Sequence, residues 1–361
     1  MSPRASRSDL ASGQTHLPRP KMNACGVVSR RPSFPPLHWP AEIAAERMTS
    51  HPLVSVVLPV RDEADVLPAL VDALEKQTMS RVQFEVVIAD DGSAQPPVDL
   101  ATDDGHIRVL PGTAVNSYAA RNRGVSAAGG EVLAFCDADC IPEPDWLERG
   151  VIALGSGDVV AGRVRFILPE RRTLWSLIDI DTSKNQELLV SIGVAETANL
   201  FVRRELFDQL GGFAADSSAY GDYDLVERCV ELGASVRYAD NVVVWHPTRE
   251  RATSLLNVQW EYCRGYAKRT VMRRRKVEGL KLRSWVPIVQ LVRGRRRNGL
   301  PLTIATPWLA RNGVHPTWKE RLLALPLMYI VLPYWRNVAQ VVGAIDGYRH
   351  RSGPSRRPRR R

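Results

Sequence analysis

Four short apolar runs, Leu53–Pro59, Phe84–Ala89, Ile107–Leu110 and Val132–Cys136, alternate with stretches of helical spacing over the first third of the ordered pattern. Runs this short and this apolar suit strands buried on both faces, and parallel strands need helical crossovers between them. Between the first two runs Val66, Leu67, Leu70, Val71 and Leu74 keep helical spacing. Between the third and fourth, Asn116 to Ala128 is rich in Ala and is stopped by Gly129-Gly130. The chain is therefore read as an α/β protein with a parallel sheet.

The pattern changes after residue 157, with a strand at Val159–Phe166, a helical stretch near Leu174–Val190 and another strand at Asn199–Val202. A helix from Arg204 to Leu210 stops at Gly211-Gly212, a second begins near Asp222, and Val236–Trp245 is a further β-branched run. The expected organisation is a Pro/Arg-rich disordered leader (1–50) and one domain (51–250) divided into a nucleotide-binding half (51–145) and an acceptor half (146–250). A basic, partly apolar helical extension (251–361) follows.

Charge divides the chain in the same way. Lys+Arg against Asp+Glu run 7 and 3 in residues 1–50, 17 and 32 in 51–250, and 25 and 4 in 251–361, or +4, −15 and +21. An acidic body with a basic tail is suited to an anionic surface. Cys25, Cys136, Cys140, Cys229 and Cys263 contain no C-x-x-C pair. A disulfide framework and a cysteine zinc site are excluded on that spacing, and a reducing compartment is expected. The leader lacks the apolar core of a signal peptide. The longest apolar run, Leu322–Leu332, contains Pro326, and its continuation to Ile345 takes in Arg336, Asn337 and Gln340. It is shorter than the roughly 20 residues of a membrane span and reads as an interfacial or re-entrant segment, or as a core helix.

The chemistry collects at strand ends. The fourth run leaves through Asp137-Ala138-Asp139 before Pro142 and Pro144. Two carboxylates one residue apart at the end of a buried strand are costly to desolvate without a cation or ligand hydroxyls, although alone they are also an acidic turn. The first run ends in Pro59-Val60-Arg61-Asp62-Glu63 and the second in Asp90-Asp91-Gly92-Ser93. Ligands of open parallel sheets bind beyond the carboxyl ends of strands, so these groups face one crevice. Arg121 and Arg123, before the Asp-x-Asp strand, carry planar forks that suit a diphosphate.

Taken in order, Pro-x-x-x-Glu, Asp-Asp-Gly-Ser, Ala-Arg-Asn-x-Gly, Phe-x-Asp-Ala-Asp with Pro-x-x-Trp-Leu, Thr197-Ala198-Asn199-Leu200, Arg203-Arg204, Gly211-Gly212-Phe213 and Asp222-Tyr223-Asp224-Leu225 with Arg228 resemble glycosyltransferase family 2 over residues 53–248. The resemblance implies a GT-A fold: a Rossmann-like, mixed, mostly parallel sheet flanked by helices. It also implies an inverting, metal-dependent transfer from a nucleotide sugar, UDP- or GDP-linked, to an acceptor hydroxyl.

By position, Pro59, Arg61, Glu63, Asp91 and Ser93 would line the nucleotide pocket, with Arg121 on the diphosphate and Asp137 near the ribose and metal. Asp139, with Asp137 and His246, would hold Mg2+ or Mn2+, and Asp222 would be the general base. Asp224 is the competing base. The chain departs from the family where Gly221 stands in place of the first acid of a Glu-Asp pair, and where Asp62 replaces an Asn-like position.

The implied partners are a nucleotide-sugar donor, a glycan or lipid-linked acceptor of the cell envelope, and the anionic inner face of the cell membrane, with a peripheral cytoplasmic location. No nucleic-acid-reading module appears, so no specific nucleic acid is expected. A nucleotidyltransferase would carry a Gly-rich loop with Arg and Lys at Pro59–Glu63, and a dinucleotide oxidoreductase a G-x-G-x-x-G after the first strand; both are absent. Because of Gly221, the alternative from another class is a non-catalytic nucleotide-binding scaffold with a basic tail for membrane or nucleic acid.

Overall fold

The computed structural model describes residues 52–273, apart from 156 and 218, and residues 307–352. The expected leader, the terminal Arg run and nearly all of the two basic clusters at 273–276 and 295–297 lie outside the described residues. The four runs are strands β1 (Val54–Val60), β2 (Phe84–Asp90), β3 (Ile107–Leu110) and β4 (Val132–Cys136). Helices α1 (Leu67–Glu75) and α2 (Ser117–Ala127) lie between β1 and β2 and between β3 and β4. The second half supplies β5 (Ile141–Pro142), α3 (Trp146–Leu154), β6 (Val159–Ile167), α4 (Leu174–Thr182), α5 (Gln186–Ser191), β7 (Asn199–Arg203), α6 (Arg204–Gln209), α7 (Gly221–Glu231) and β8 (Val236–Pro247).

These strands form one eight-stranded sheet of order β3-β2-β1-β4-β7-β6-β8-β5. The β3-β2-β1-β4 block is parallel, as is β6-β8, whereas β7 runs antiparallel to both β4 and β6, and β5 antiparallel to β8. Alternate side chains of a strand go to opposite faces. Accordingly Val56, Leu58 and Val60 join one core cluster with Leu67, Leu70 and Trp146, while Val57 joins another with Leu133, Phe135 and Phe207. Burial on both faces explains the unbroken apolar runs.

The stretch read as a single helix at Leu174–Val190 is two, α4 and α5, separated at Ser183-Lys184-Asn185. Lys184 takes a left-handed backbone (φ 57°), which ends α4, and the Asn185 side chain accepts from Leu188 N–H to start α5.

Beyond β8 come α8 (Ala252–Met272), α9 (Pro307–Arg311), α10 (Trp318–Pro326), a π-helical turn (Leu327–Val331) and α11 (Leu332–Ser352). The apolar run Leu322–Leu332, read as too short for a span, belongs to a longer helical stretch, Trp318–His350, which is long and apolar enough to cross a membrane by length and composition. Its later half lies along α8, where Trp260 and Trp335 rings are 5.0 Å apart, Trp335 Nε1 donates to Leu256 O (2.9 Å), and Arg264 pairs with Asp346 (2.9 Å). Gly343 carries no Cβ where the Arg264 carbonyl approaches, which lets the two backbones come close.

Candidate active site

Strand ends and three helices line a cavity of ≈ 470 Å³. Its floor is the carboxyl edge of β1, β2 and β4, as the strand-end rule requires. Pro59 of β1 with Arg61 and Glu63 just after it, Asp91 just after β2, Arg121 from α2, Asp137 and Asp139 just after β4, Asp222 from α7 and His246 from β8 all line it. Ser93 does not. Its hydroxyl instead accepts from Asp62 N–H (2.8 Å), tying the loop after β2 to the loop after β1. Asp62 in turn accepts from Ala94 N–H (2.8 Å) and has a left-handed backbone (φ 54°). Arg123 also turns from the cavity and donates to Asp90 O.

At the cation corner one donor atom each from Asp137, Asp139, Cys140 and His246 lies within 4.8 Å of the others. His246 Nδ1 is 2.6 Å from Pro247 O, so that nitrogen carries the proton and Nε2 presents a lone pair. Nε2 is 3.6 Å from Asp139 Oδ1. Burial, aided by Lys184, brings the imidazole down to about 3, which keeps the ring neutral at neutral pH. Two acceptors facing one another in a crevice fit a cation between them, and neutral imidazole with two carboxylates is a donor set for a first-row or hard divalent ion. Burial keeps the Cys140 thiol protonated, which leaves it a weak fourth donor.

Burial and the charges of Asp139 and Asp137 raise the Asp139 neighbour Glu63 to about 7. Asp137 moves the other way: burial raises it, but Lys184 and Arg121 outweigh that and hold it below the usual carboxylate range. Arg121 Nη2 donates to Asp137 Oδ1 (2.9 Å) and Lys184 Nζ to Oδ2 (3.0 Å). Arg121 is 3 % exposed, and its Nε has no hydrogen-bond partner. At the β2 end of the cavity Asp91 accepts from Val115 N–H (2.8 Å).

Across the cavity, Asp222 Oδ1 accepts from Tyr118 Oη (3.0 Å) and Tyr223 N–H (2.9 Å), and Oδ2 lies 3.4 Å from Thr197 N. Burial raises its pKa despite these donors. Asp224, the competing acid, is fully buried outside the cavity and pairs with Arg228 (2.9 Å), Arg269 (2.6 Å) and Arg273 (2.6 Å), joining α7 to α8. Gly221 also has a packing reason: a Cβ there would stand 2.7 Å from the Tyr118 ring. The ring that positions Asp222 occupies the room that an acid at 221 would need.

Other motif residues build the frame. Trp146 is fully buried and donates from Nε1 to Asn199 Oδ1 (2.9 Å), while Asn199 Nδ2 donates to Arg163 O and Val242 O (2.9 Å each). Pattern reading missed Lys184, Glu196 and Arg249, and missed that Asn257, Glu261 and Tyr262 of α8 also line the cavity. Lys184 and Glu196 sit in segments read as ordinary helix and strand entry, with no local signal. The α8 residues fall in the basic helical extension expected over 251–361, which was kept apart from the site.

Comparisons with known proteins bear on the family and the fold. The family model for glycosyl transferase family 2 matches residues 55–211. Glycosyltransferase AglE of Haloferax volcanii is 34% identical over 206 residues, which cover 55% of this chain and 68% of AglE. A PGL/p-HBAD biosynthesis glycosyltransferase of Mycobacterium tuberculosis is 31% identical over 203 residues, 54% of this chain and 75% of that protein. Among solved structures, the mannosyltransferase PcManGT of Pyrobaculum calidifontis in complex with GDP-Man and Mn2+ shares the fold, with a TM-score of 0.53 at 19% identity over 83% of this chain and 88% of that one. Ordered motifs, sheet topology and relatives converge: the chain belongs to glycosyltransferase family 2 and is a glycosyltransferase of GT-A fold.

Proposed function

We propose that this enzyme moves a sugar from a UDP- or GDP-linked donor to an acceptor hydroxyl by single displacement, with inversion at the anomeric carbon and Mg2+ or Mn2+ held by Asp137, Asp139 and His246. The observation that carries the reading is the pairing of the cation corner with a buried, braced carboxylate, Asp222, across one cavity. A divalent cation bound there supplies Lewis-acid neutralisation of the departing nucleoside diphosphate. Pro59, Arg61, Glu63 and Asp91 line the end that takes base and ribose. Arg121, with one N–H unspent, places its fork toward the diphosphate.

Asp222 accepts the proton of the attacking hydroxyl. Tyr118 and the N–H groups of Thr197 and Tyr223 hold the carboxylate in place, and its raised pKa brings it closer to the acidity range in which a general base works well. Gly221 does not weaken this reading, since the Tyr118 ring accounts for it. Binding of UDP- and GDP-sugars, followed by thermal shift with and without Mn2+, tests the donor half. A product that retains the donor's anomeric configuration contradicts single displacement.

The acceptor is a glycan or lipid-linked hydroxyl, and the enzyme works peripherally at the cytoplasmic, anionic face of the membrane. Trp318, Leu322, Leu323, Ile330 and Tyr334 stand exposed along the α10–α11 stretch, beside a region with a net charge of +21. Exposed Trp and Leu with basic neighbours suit an anionic interface. Pelleting with anionic vesicles tests this: Leu322→Glu with Leu323→Glu should release the protein, and equal pelleting of wild type and variant would remove the membrane claim.

A further inference from the structure

Between the cation corner and Asp222 the cavity wall holds two charged groups without a task so far, Lys184 and Glu196. Both are nearly enclosed, at 7 % and 6 % exposure. Lys184 Nζ bonds Asp137 (3.0 Å) and reaches Glu196 Oε2 (3.6 Å). Glu196 Oε1 accepts from Tyr223 Oη (3.2 Å), next in sequence to Asp222, and Thr197, next to Glu196, points its N–H at Asp222. Glu196 is thus strung between the corner and the base.

Its backbone is also fixed. Glu196 N–H donates to Gln186 Oε1 (2.9 Å), and Gln186 Nε2 donates to Glu196 O (2.8 Å) and Asn199 O (3.2 Å). The left-handed backbone of Lys184 (φ 57°) is strained and persists only where the surroundings over-determine it. Apart from its 3.6 Å ion pair with Lys184, Oε2 has no hydrogen-bond partner, and Glu196 is one of the residues that line the cavity. A buried carboxyl oxygen without a donor is expensive, and a ligand hydroxyl would satisfy it.

In a single displacement the sugar ring spans the gap between the departing diphosphate and the acceptor hydroxyl, so the wall between those two points faces the sugar. We propose that Glu196, braced by Lys184 and Tyr223, forms a subsite that accepts a hydrogen bond from one hydroxyl of the transferred sugar and selects neutral, hydroxyl-bearing hexoses over deoxy sugars and uronic acids. This rests on the donor reading given above.

The test compares kcat/KM for the preferred nucleotide hexose, its single-deoxy analogues and its uronic-acid counterpart, in wild type, Glu196→Gln and Glu196→Ala. Calorimetric binding of the nucleoside diphosphate with Mn2+ runs in parallel. In wild type, one deoxy position should lose about 10- to 100-fold, as expected when a buried polar group goes unpaired. That penalty should collapse in Glu196→Ala while nucleoside diphosphate affinity is unchanged.

Normal nucleotide binding with a deoxy profile that is flat in wild type, or identical in wild type and Glu196→Ala, overturns the subsite alone. So does a preference for the uronic acid. Failure of wild type to bind nucleoside diphosphate overturns the donor reading and the subsite together. The wild-type deoxy scan keeps the proposal open to refutation even if the variants fold poorly.

Discussion

His246 Nε2 and Asp139 Oδ1 face each other as two acceptors, and the consequence can be measured. Replacing His246 with Ala should lower Mn2+ affinity by about 10- to 100-fold or more, by comparison with outer partners whose loss has that effect; an unchanged calorimetric titration would remove His246 from the corner. Glu63 offers a pH signature. The folded protein keeps its proton up to about 7 while the ordinary value is 4.5, so between those values the unfolded chain binds fewer protons and stability falls as pH rises. In metal-free buffer, Glu63→Gln should therefore gain in urea midpoint over wild type at pH 8 and show little gain at pH 5. An equal difference at both pH values contradicts the shift. Residue roles were the least legible part of the sequence. Asp137, Asp139, Asp91 and Asp222 stand in ordered motifs at strand and helix ends, but Lys184 acquires meaning only when a left-handed backbone turns it toward Asp137.

At the level of elements, β3 is a half-buried edge strand whose run includes Arg108, whereas β1, β2 and β4 were legible because parallel strands buried on both faces leave unbroken apolar runs. The antiparallel direction of β7 was not, since direction is set by neighbours β4 and β6 rather than by the five residues Asn199–Arg203. The start of α7 carries a sharp test. A Cβ at Gly221 meets the Tyr118 ring at 2.7 Å, and Tyr118 holds Asp222. Gly221→Ala should cost about 1–3 kcal/mol of stability, as overpacked sites do, and should lower kcat more than it raises donor KM. A variant with wild-type stability and kcat would show that the contact is slack. The pairing of α8 with α11 was hidden for another reason: a glycine such as Gly343 lets two backbones approach without leaving any apolar pattern.

For the molecule as a whole, residues beyond the boundary expected at 250 reach the cavity and the helix that carries Asp222. Asn257, Glu261 and Tyr262 of α8 line the cavity, and Arg269 and Arg273 neutralise Asp224 beneath α7. Truncation after residue 250 should therefore abolish donor turnover in solution, with no membrane present; full soluble activity of the shortened chain would restore that boundary. The acidic body and basic end thus meet at Asp224, outside the cavity, where Arg269 and Arg273 pair with it. The account stands most directly on the joint need for the cation corner and the base. Turnover of a UDP- and GDP-sugar panel should require Mn2+ or Mg2+, stop in chelator, and fall by about 10²- to 10⁴-fold in Asp222→Asn with Mn2+ binding intact, the range of general-base contributions. Turnover that survives chelator, Asp139→Asn and Asp222→Asn would contradict it.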